Sequence, residues 1–326
     1  MEIARRGNGA VLTLDDGRTV ALDSDEPMAF ACVSHAHMDH LSGRGSRSAV
    51  MTEETRLIFG ARGVKVRNHV RLDFGRSADL GGVRVSVQPS GHMLGSAVFE
   101  LDLDGRKLLY TGDLNTQASI LHDPAWSTEA DVLVIESTYG SPVYRFEERE
   151  LVYAKVVRWI KETLRDGRVP AFSVYAAGKA QEVIALVNQS MRVPVLVSRD
   201  VGSVASVYKR AYPWMEFVVE GTEEASEVLR DGELVYVSER VKSLGGLRAS
   251  WSVATGWALT RSFAGFDASF ALSSHADFAG LVEYVESVSP RVVVTMYGSS
   301  SVFASHLRRL GYRAISLDER QNVRLL

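Results

Sequence analysis

The densest concentration of chemistry-bearing side chains in this chain is Ser34-His35-Ala36-His37-Met38-Asp39-His40. Three of the eight histidines and one aspartate fall within this short run. Imidazole and carboxylate are the side chains that hold zinc, and their clustering here exceeds what composition alone produces. His35 and His37 are two residues apart, so in an extended segment both leave on the same face. Asp39 and His40 follow where the chain turns toward a helix, and can face a second position close by. Two further elements carry matching groups at a distance. Gly91-His92-Met93-Leu94-Gly95 places a histidine in a glycine-flanked loop, where glycine permits positive φ and close backbone approach to an ion. Thr111-Gly112-Asp113 ends a strand with a carboxylate able to bridge two cations.

These groups need strands that end on them. Up to about residue 140, short apolar runs bounded by Gly, Asp and Ser turns read as strands, at 10–14, 83–87, 96–103, 107–113 and 131–137. Val33-Ser34 leads to His35, Tyr110-Thr111-Gly112 to Asp113, and Val134-Ile135 to Glu136, the way an α/β scaffold assembles a site. After Gly140 the texture changes. Helical stretches at 146–166, 179–190 and from near Val201 alternate with strand-like 193–197 and 233–237. From about 250 short strands return, at 269–274 and 291–296, with helices at 277–288 and 301–310 and a last strand. The economical reading is a split first domain, 1–141 with 263–326, and an inserted α/β module, 142–262.

Composition bounds the rest. A chain of 326 residues suggests about two domains. Hydrophobic residues at 46% and charged residues at 24% exclude a disordered or collagen-like chain. Lys+Arg 37 against Asp+Glu 40 gives a net charge of −3, so a polyanion must be held by a local patch or by metal. Cys32 is the single cysteine, which excludes an intrachain disulfide and a CxxC-type metal site. MEIARRGNGA lacks the apolar core of a signal peptide, and no apolar run approaches the ~20 residues that span a bilayer. The expectation is a soluble, cytoplasmic protein with no membrane partner. Within the middle module, basic residues dominate 192–210 and acidic ones 223–233, leaving one face for a polyanion. Trp159, Trp214 and Tyr208 could stack on bases, although Trp159 fits a helical apolar stripe.

The three elements HAHMDH, GHMLGS and TGD together resemble the metallo-β-lactamase superfamily, which implies an α/β fold, the αββα sandwich. By that resemblance His35, His37 and His92 hold one zinc firmly, Asp39 and His40 hold a second, and Asp113 bridges. Glu136-Ser137-Thr138-Tyr139-Gly140 and Ser273-Ser274-His275-Ala276-Asp277 resemble the β-CASP branch, the nucleases of RNA 3′-end processing, RNA decay and DNA repair. Gly178-Lys179-Ala180-Gln181-Glu182 resembles a helix start in the inserted domain of that branch, and Ala254-Thr255-Gly256-Trp257 the turn that closes it. The run 137–146 and GKAQ are most similar to short prokaryotic members, either mRNA 3′-end processing-factor-like or DNA ligase-associated exonucleases. One position departs. The branch carries His-Gly after the penultimate core strand, and here the pair is Tyr297-Gly298. Phenol ligates zinc poorly unless ionised, and its ordinary pKa is ~10. A weaker second metal is therefore expected.

The resemblance implies a zinc-dependent nuclease that hydrolyses RNA phosphodiesters through a metal-activated hydroxide. Asp39 and Asp113 would act with the metals, His275 as general acid toward the leaving oxygen, and Glu136 as its orienting carboxylate. Lys179, Ser274 and Tyr297 would contact substrate, which is single-stranded RNA or DNA. A homodimer is left open. Three alternatives stand beside this reading: a DNA exonuclease of repair, since DNA-cutting members also lack the histidine that Tyr297 replaces; a degenerate nucleic-acid-binding subunit; and a small-molecule metallo-hydrolase, which would need neither the inserted module nor SSHAD.

Overall fold

The structure is a computed structural model and describes residues 1–38, 48–66 and 68–325. The chain opens with β1 (Glu2–Arg6), β2 (Gly9–Thr13), β3 (Thr19–Leu22), β4 (Phe30–Cys32), β5 (Ser48–Met51), α1 (Glu53–Ala61) and β6 (His69–Arg71). Then come β7 (Ser77–Asp79), β8 (Arg84–Pro89), β9 (Ala97–Leu103), β10 (Arg106–Tyr110) and β11 (Val132–Glu136). The middle holds α2 (Arg149–Arg165), β12 (Val169–Ser173), α3 (Lys179–Ser190), β13 (Val195–Val197), α4 (Arg199–Ala211), β14 (Val218–Val219), α5 (Glu223–Asp231), β15 (Val235–Ser238), β16 (Ala249–Ala254) and β17 (Ala268–Phe270). The chain closes with α6 (Phe278–Val288), β18 (Val292–Met296), α7 (Ser300–Arg309), β19 (Ala314–Ser316) and β20 (Asn322–Arg324). It forms two compact units, one of Met1–Gln117, His122–Arg145 and His275–Leu326, the other of Ala118–Leu121 and Phe146–Ser274. No helix among the described residues is long and apolar enough to cross a membrane.

The first unit is an α/β sandwich of two mixed sheets, ordered β20-β1-β2-β3-β4-β5-β6 and β19-β18-β11-β10-β9-β8-β7. Alternation along the strands decides which side chains meet. Leu108 and Tyr110 of β10, Val132 and Val134 of β11, and Val292 and Val294 of β18 share one core with Ile3, Leu12, Leu22 and Cys32 of the opposite sheet. The intervening Leu109, Leu133, Ile135 and Val293 face the other way and pack under Leu281, Tyr284, Val285 and Val288 of α6 and Phe303 and Leu307 of α7. Asp277 starts α6 as its N-cap, accepting from the Gly280 N–H at 2.8 Å, a bond worth about 1 kcal/mol. In both sheets the strands nearest the site, β3 with β4 and β10 with β11 and β18, run parallel. Their C-terminal ends therefore gather at one end of each sheet.

The second unit is a six-stranded, all-parallel sheet, β14-β13-β15-β12-β16-β17, with helical crossovers of the kind parallel pairing demands. Trp159 and Tyr208 both turn out to be packing residues. Trp159 meets the Phe172 and Phe270 rings edge-on at 5.4 and 5.7 Å, and Tyr208 is fully buried. Trp214 stays open to solvent. The acidic cluster near 223–231 is a helix, α5, capped by Thr222, and the strand read at 269–274 ends at Phe270.

Candidate metal centre

Four side chains meet at the strand ends of the first unit. His35 and His37 follow β4, His92 sits in the loop between β8 and β9, and Asp113 follows β10. His35 Nε2 lies 3.1 Å from His37 Nδ1 and 3.3 Å from Asp113 Oδ2. His92 Nε2 lies 3.2 Å from His37 Nδ1 and 3.6 Å from Asp113 Oδ2. A zinc ion ~2.0–2.1 Å from four tetrahedral donors sets those donors about 3.3–3.4 Å apart. The four atoms therefore outline a zinc-sized cage, and the residues present fit the ion. His35, His92 and Asp113 are buried, so few waters compete for their lone pairs. Burial, then the neighbouring His275 imidazole, holds His92 well below the usual histidine range, against the pull of Asp113. A neutral imidazole is the form that ligates. A second group, Asp113, Glu136 and His275, shares the aspartate, and the paired clusters are consistent with a dinuclear zinc site. Asp39 and His40 lie outside the described residues.

The loops are held in place locally. The His92 loop is closed by Ser90 and Ser96, whose hydroxyls are 2.8 Å apart, and Ser90 Oγ also donates to the Asp113 carbonyl at 2.8 Å. Gly91 has the positive φ expected of it, +72°, but its close approach is to backbone of Asn115 and Asp123 rather than to the cage. Gly112 has φ +52°, and a Cβ there would lie 2.3 Å from Ser34 Cβ and Oγ.

Around the cage the carboxylates are tied down. Glu136 Oε1 accepts from the Leu114 N–H at 2.9 Å, and Oε2 from Thr138 at 3.2 Å. Glu136 Oε1 also lies 2.8 Å from His275 Nδ1, so that nitrogen carries the proton. His275 Nε2 is then the atom presented to Asp113 Oδ2, at 3.9 Å. Asp23, at the end of β3, escaped the sequence reading. Its Oδ1 accepts from the Ser34 N–H at 2.7 Å, and its Oδ2 from the hydroxyls of Ser34 and Tyr110, the latter at 2.7 Å. Ser34 Oγ lies 2.9 Å from His35 Nδ1, which orients that ring. The signal was present, since Asp23 ends the apolar run of β3 as Asp113 ends that of β10.

The three remaining candidates differ. Tyr297, after β18, aims its hydroxyl at Tyr110, 3.4 Å away, and burial and the Asp23 charge push its pKa up, so the phenol keeps its proton. Lys179 starts α3 as expected but is buried, with Nζ 2.8 Å from Glu182 Oε2, and Glu182 also takes the Arg149 guanidinium and the Tyr153 hydroxyl. Ser274 is half-buried at the end of the second unit.

No family model matches the chain. The chain is similar to a "Probable DNA ligase" of Opitutus terrae, 31% identical over 93% of this chain and 30% of that one. It is also similar to an "RNase J-like protein" of Methanocaldococcus jannaschii, 37% identical over 39% of this chain and 32% of that one. The chain thus spans about a third of the length of these curated relatives. Among solved structures, a protein of unknown function from Enterococcus faecalis shares the fold, with a TM-score of 0.60 at 15% identity, covering 82% of this chain and 74% of that one.

Proposed function

We propose that the chain is a member of the metallo-β-lactamase/β-CASP superfamily and a metal-dependent nuclease hydrolysing phosphodiester bonds in single-stranded DNA. The cage of His35, His37, His92 and Asp113 carries the reading, because donors at zinc spacing can hold an ion that makes a nucleophile available for phosphodiester hydrolysis at neutral pH. Zinc, when bound there, supplies Lewis acidity toward phosphoryl oxygens and lowers the pKa of water. The chain's own residues do the rest. Asp113 orients groups on both sides of itself. Glu136 fixes His275 with Nε2 facing inward, where the protonated ring can hand a proton to the leaving oxygen.

The second unit is assigned as the inserted β-CASP-like domain, and its surface suits a polyanion. All its strands run parallel, so their C-terminal ends share one edge, where α/β sheets bind ligands. Exposed Tyr175, Arg199 and Arg240 follow β12, β13 and β15, and Arg261 lies 4.3 Å over the Trp257 ring after β16. Arginine and open aromatics are what a single strand binds. The basic run 192–210 contributes only Arg199 to this edge, because Arg192 precedes β13 and Lys209 and Arg210 end α4. Lys179 is taken up by Glu182.

DNA is preferred over the RNA that the motifs alone suggested, because the match to the probable DNA ligase runs through 93% of the chain. RNA is the second reading, favoured by the RNase J-like relative. End-labelled single-stranded DNA and RNA of one sequence, incubated with zinc-loaded protein, chelated protein and His37→Ala, test both. DNA shortened only by the zinc-loaded, unsubstituted chain is the expected result. Cleavage confined to RNA transfers the conclusion to the second reading, and an unimpaired His37→Ala refutes the cage mechanism.

A further inference from the structure

We propose that Tyr110 and Tyr297 are positioning residues that set the metal affinity of the cage by holding Asp23 in place. The inference rests on the metal-binding reading of the site. A carboxylate only accepts, so the Tyr110 and Ser34 hydroxyls both donate to Asp23 Oδ2. Having given its proton, Ser34 Oγ accepts from His35 Nδ1, which leaves the Nε2 lone pair facing Asp113. The Tyr110 oxygen is likewise left to accept from the Tyr297 hydroxyl at 3.4 Å. Every hydrogen bond is therefore directed, and the chain of contacts runs from Tyr297 to the ligand atom of His35. Tyr110 comes from one sheet and Asp23 from the other, so the phenol ties the two across the core.

Backbone strain marks the same residues independently. Four non-glycine residues among the described ones have positive φ, and two of them are Asp23, at +45°, and Tyr297, at +66°. A left-handed residue with a side chain is unfavourable and persists where the surroundings over-determine it. Here the Ser137 hydroxyl grips the Met296 and Tyr297 carbonyls at 2.7 and 2.9 Å, and the Arg5 guanidinium lies 4.8 Å from the centre of the Tyr297 ring. Tyr297 thus stands where the resemblance puts a metal-binding histidine, yet its hydroxyl is turned to Tyr110. Removing the Tyr110 hydroxyl strips a donor from a buried carboxylate, which then shifts and slackens Ser34 and, through it, His35.

The test is zinc affinity of the full chain, by competition with a chromophoric chelator, in Tyr110→Phe, Tyr297→Phe and the double variant. Supporting residues of ligand histidines are worth about 10–100-fold in metal affinity. Tyr110→Phe is expected to weaken binding about tenfold. Tyr297→Phe should weaken it about threefold, less because it acts at one remove. The double variant should bind no more weakly than Tyr110→Phe, since the Tyr297 hydroxyl is proposed to act through its hydrogen bond to Tyr110. Unchanged affinities, or losses that multiply, overturn the inference. Should Tyr110→Phe fail to fold, Tyr297→Phe decides by itself, and unchanged affinity there overturns it. An unsubstituted chain that binds no zinc removes the metal reading as well, which distinguishes that failure from this one.

Discussion

Gly112→Ala is the sharpest probe of how the site is built. Gly112 sits at φ +52°, and an added Cβ would meet Ser34 Cβ and Oγ at 2.3 Å. That contact is more than ~1 Å short of the ~3.5 Å at which carbons meet, so Ser34 must move. Ser34 cannot move freely, because its N–H and hydroxyl both bond Asp23 and its carbonyl accepts from the Ala97 N–H at 2.8 Å. Hydrogen bonds to a charged group are worth about 1.5–3 kcal/mol each, and at least one would be lost. Gly105→Ala supplies the control. Gly105 has φ +85°, and a Cβ added there would have nothing within 4 Å, so it bears only the backbone cost of about 1–2 kcal/mol. Gly112→Ala is expected to destabilise by a further ~2–3 kcal/mol. With a urea slope near ~2 kcal/mol per M, its midpoint should fall about 1 M below that of Gly105→Ala. Zinc affinity should drop about tenfold in Gly112→Ala and stay unchanged in Gly105→Ala. Equal midpoints and equal affinities for the two variants would show that Ser34 is not the linchpin its contacts indicate.

Two other perturbations separate chemistry from scaffold. His275→Ala should lower turnover by about 10²–10⁴ while zinc stoichiometry at the cage, measured by elemental analysis, is retained; an unchanged rate removes His275 as proton donor. In the second unit, Glu182→Gln strands two buried cations, Lys179 and Arg149, and should destabilise by about 3–5 kcal/mol in urea titrations. Burial alone would raise the Glu182 pKa, but the Lys179 ammonium and Arg149 guanidinium bring it down from 4.5 to about 2. The unfolded chain then takes up the proton first. The stabilisation, on the order of 3 kcal/mol, is complete above pH ~4.5 and lost as pH falls toward ~2. A urea midpoint flat from pH 6 to pH 3 would contradict it.

Periodicity made much of the fold legible. The runs at 107–113 and 131–137 became β10 and β11, and the helix read at 179–190 is α3. Strands with strong apolar alternation and polar ends announce themselves because one side chain decides each face. The short strands β6 and β7, three residues each, carry too little pattern for that. The cluster of His35, His37, His92 and Asp113 was readable because metal binding restricts residue type and spacing. Asp23 ends an apolar run as Asp113 does, but its role was not legible, because Tyr110, which bonds it, lies 87 positions away. Lys179 was readable as a helix start but not as a buried ion-pair member, since Arg149 and Glu182 are brought to it only by packing.

The pairing of β11 with β18 bears on how the chain is made. Val132 lies beside Val292, and the Ser137 hydroxyl reaches the Tyr297 carbonyl 160 positions later. A ribosome therefore releases all four cage side chains well before β18 exists. Until it does, the edge of β11 away from β10 has no neighbour, and the apolar face destined for α7 is open to water. The strands that carry the cage are synthesised early, yet they wait for β18 and its flanking helices before the sheet behind His92 and Asp113 can close.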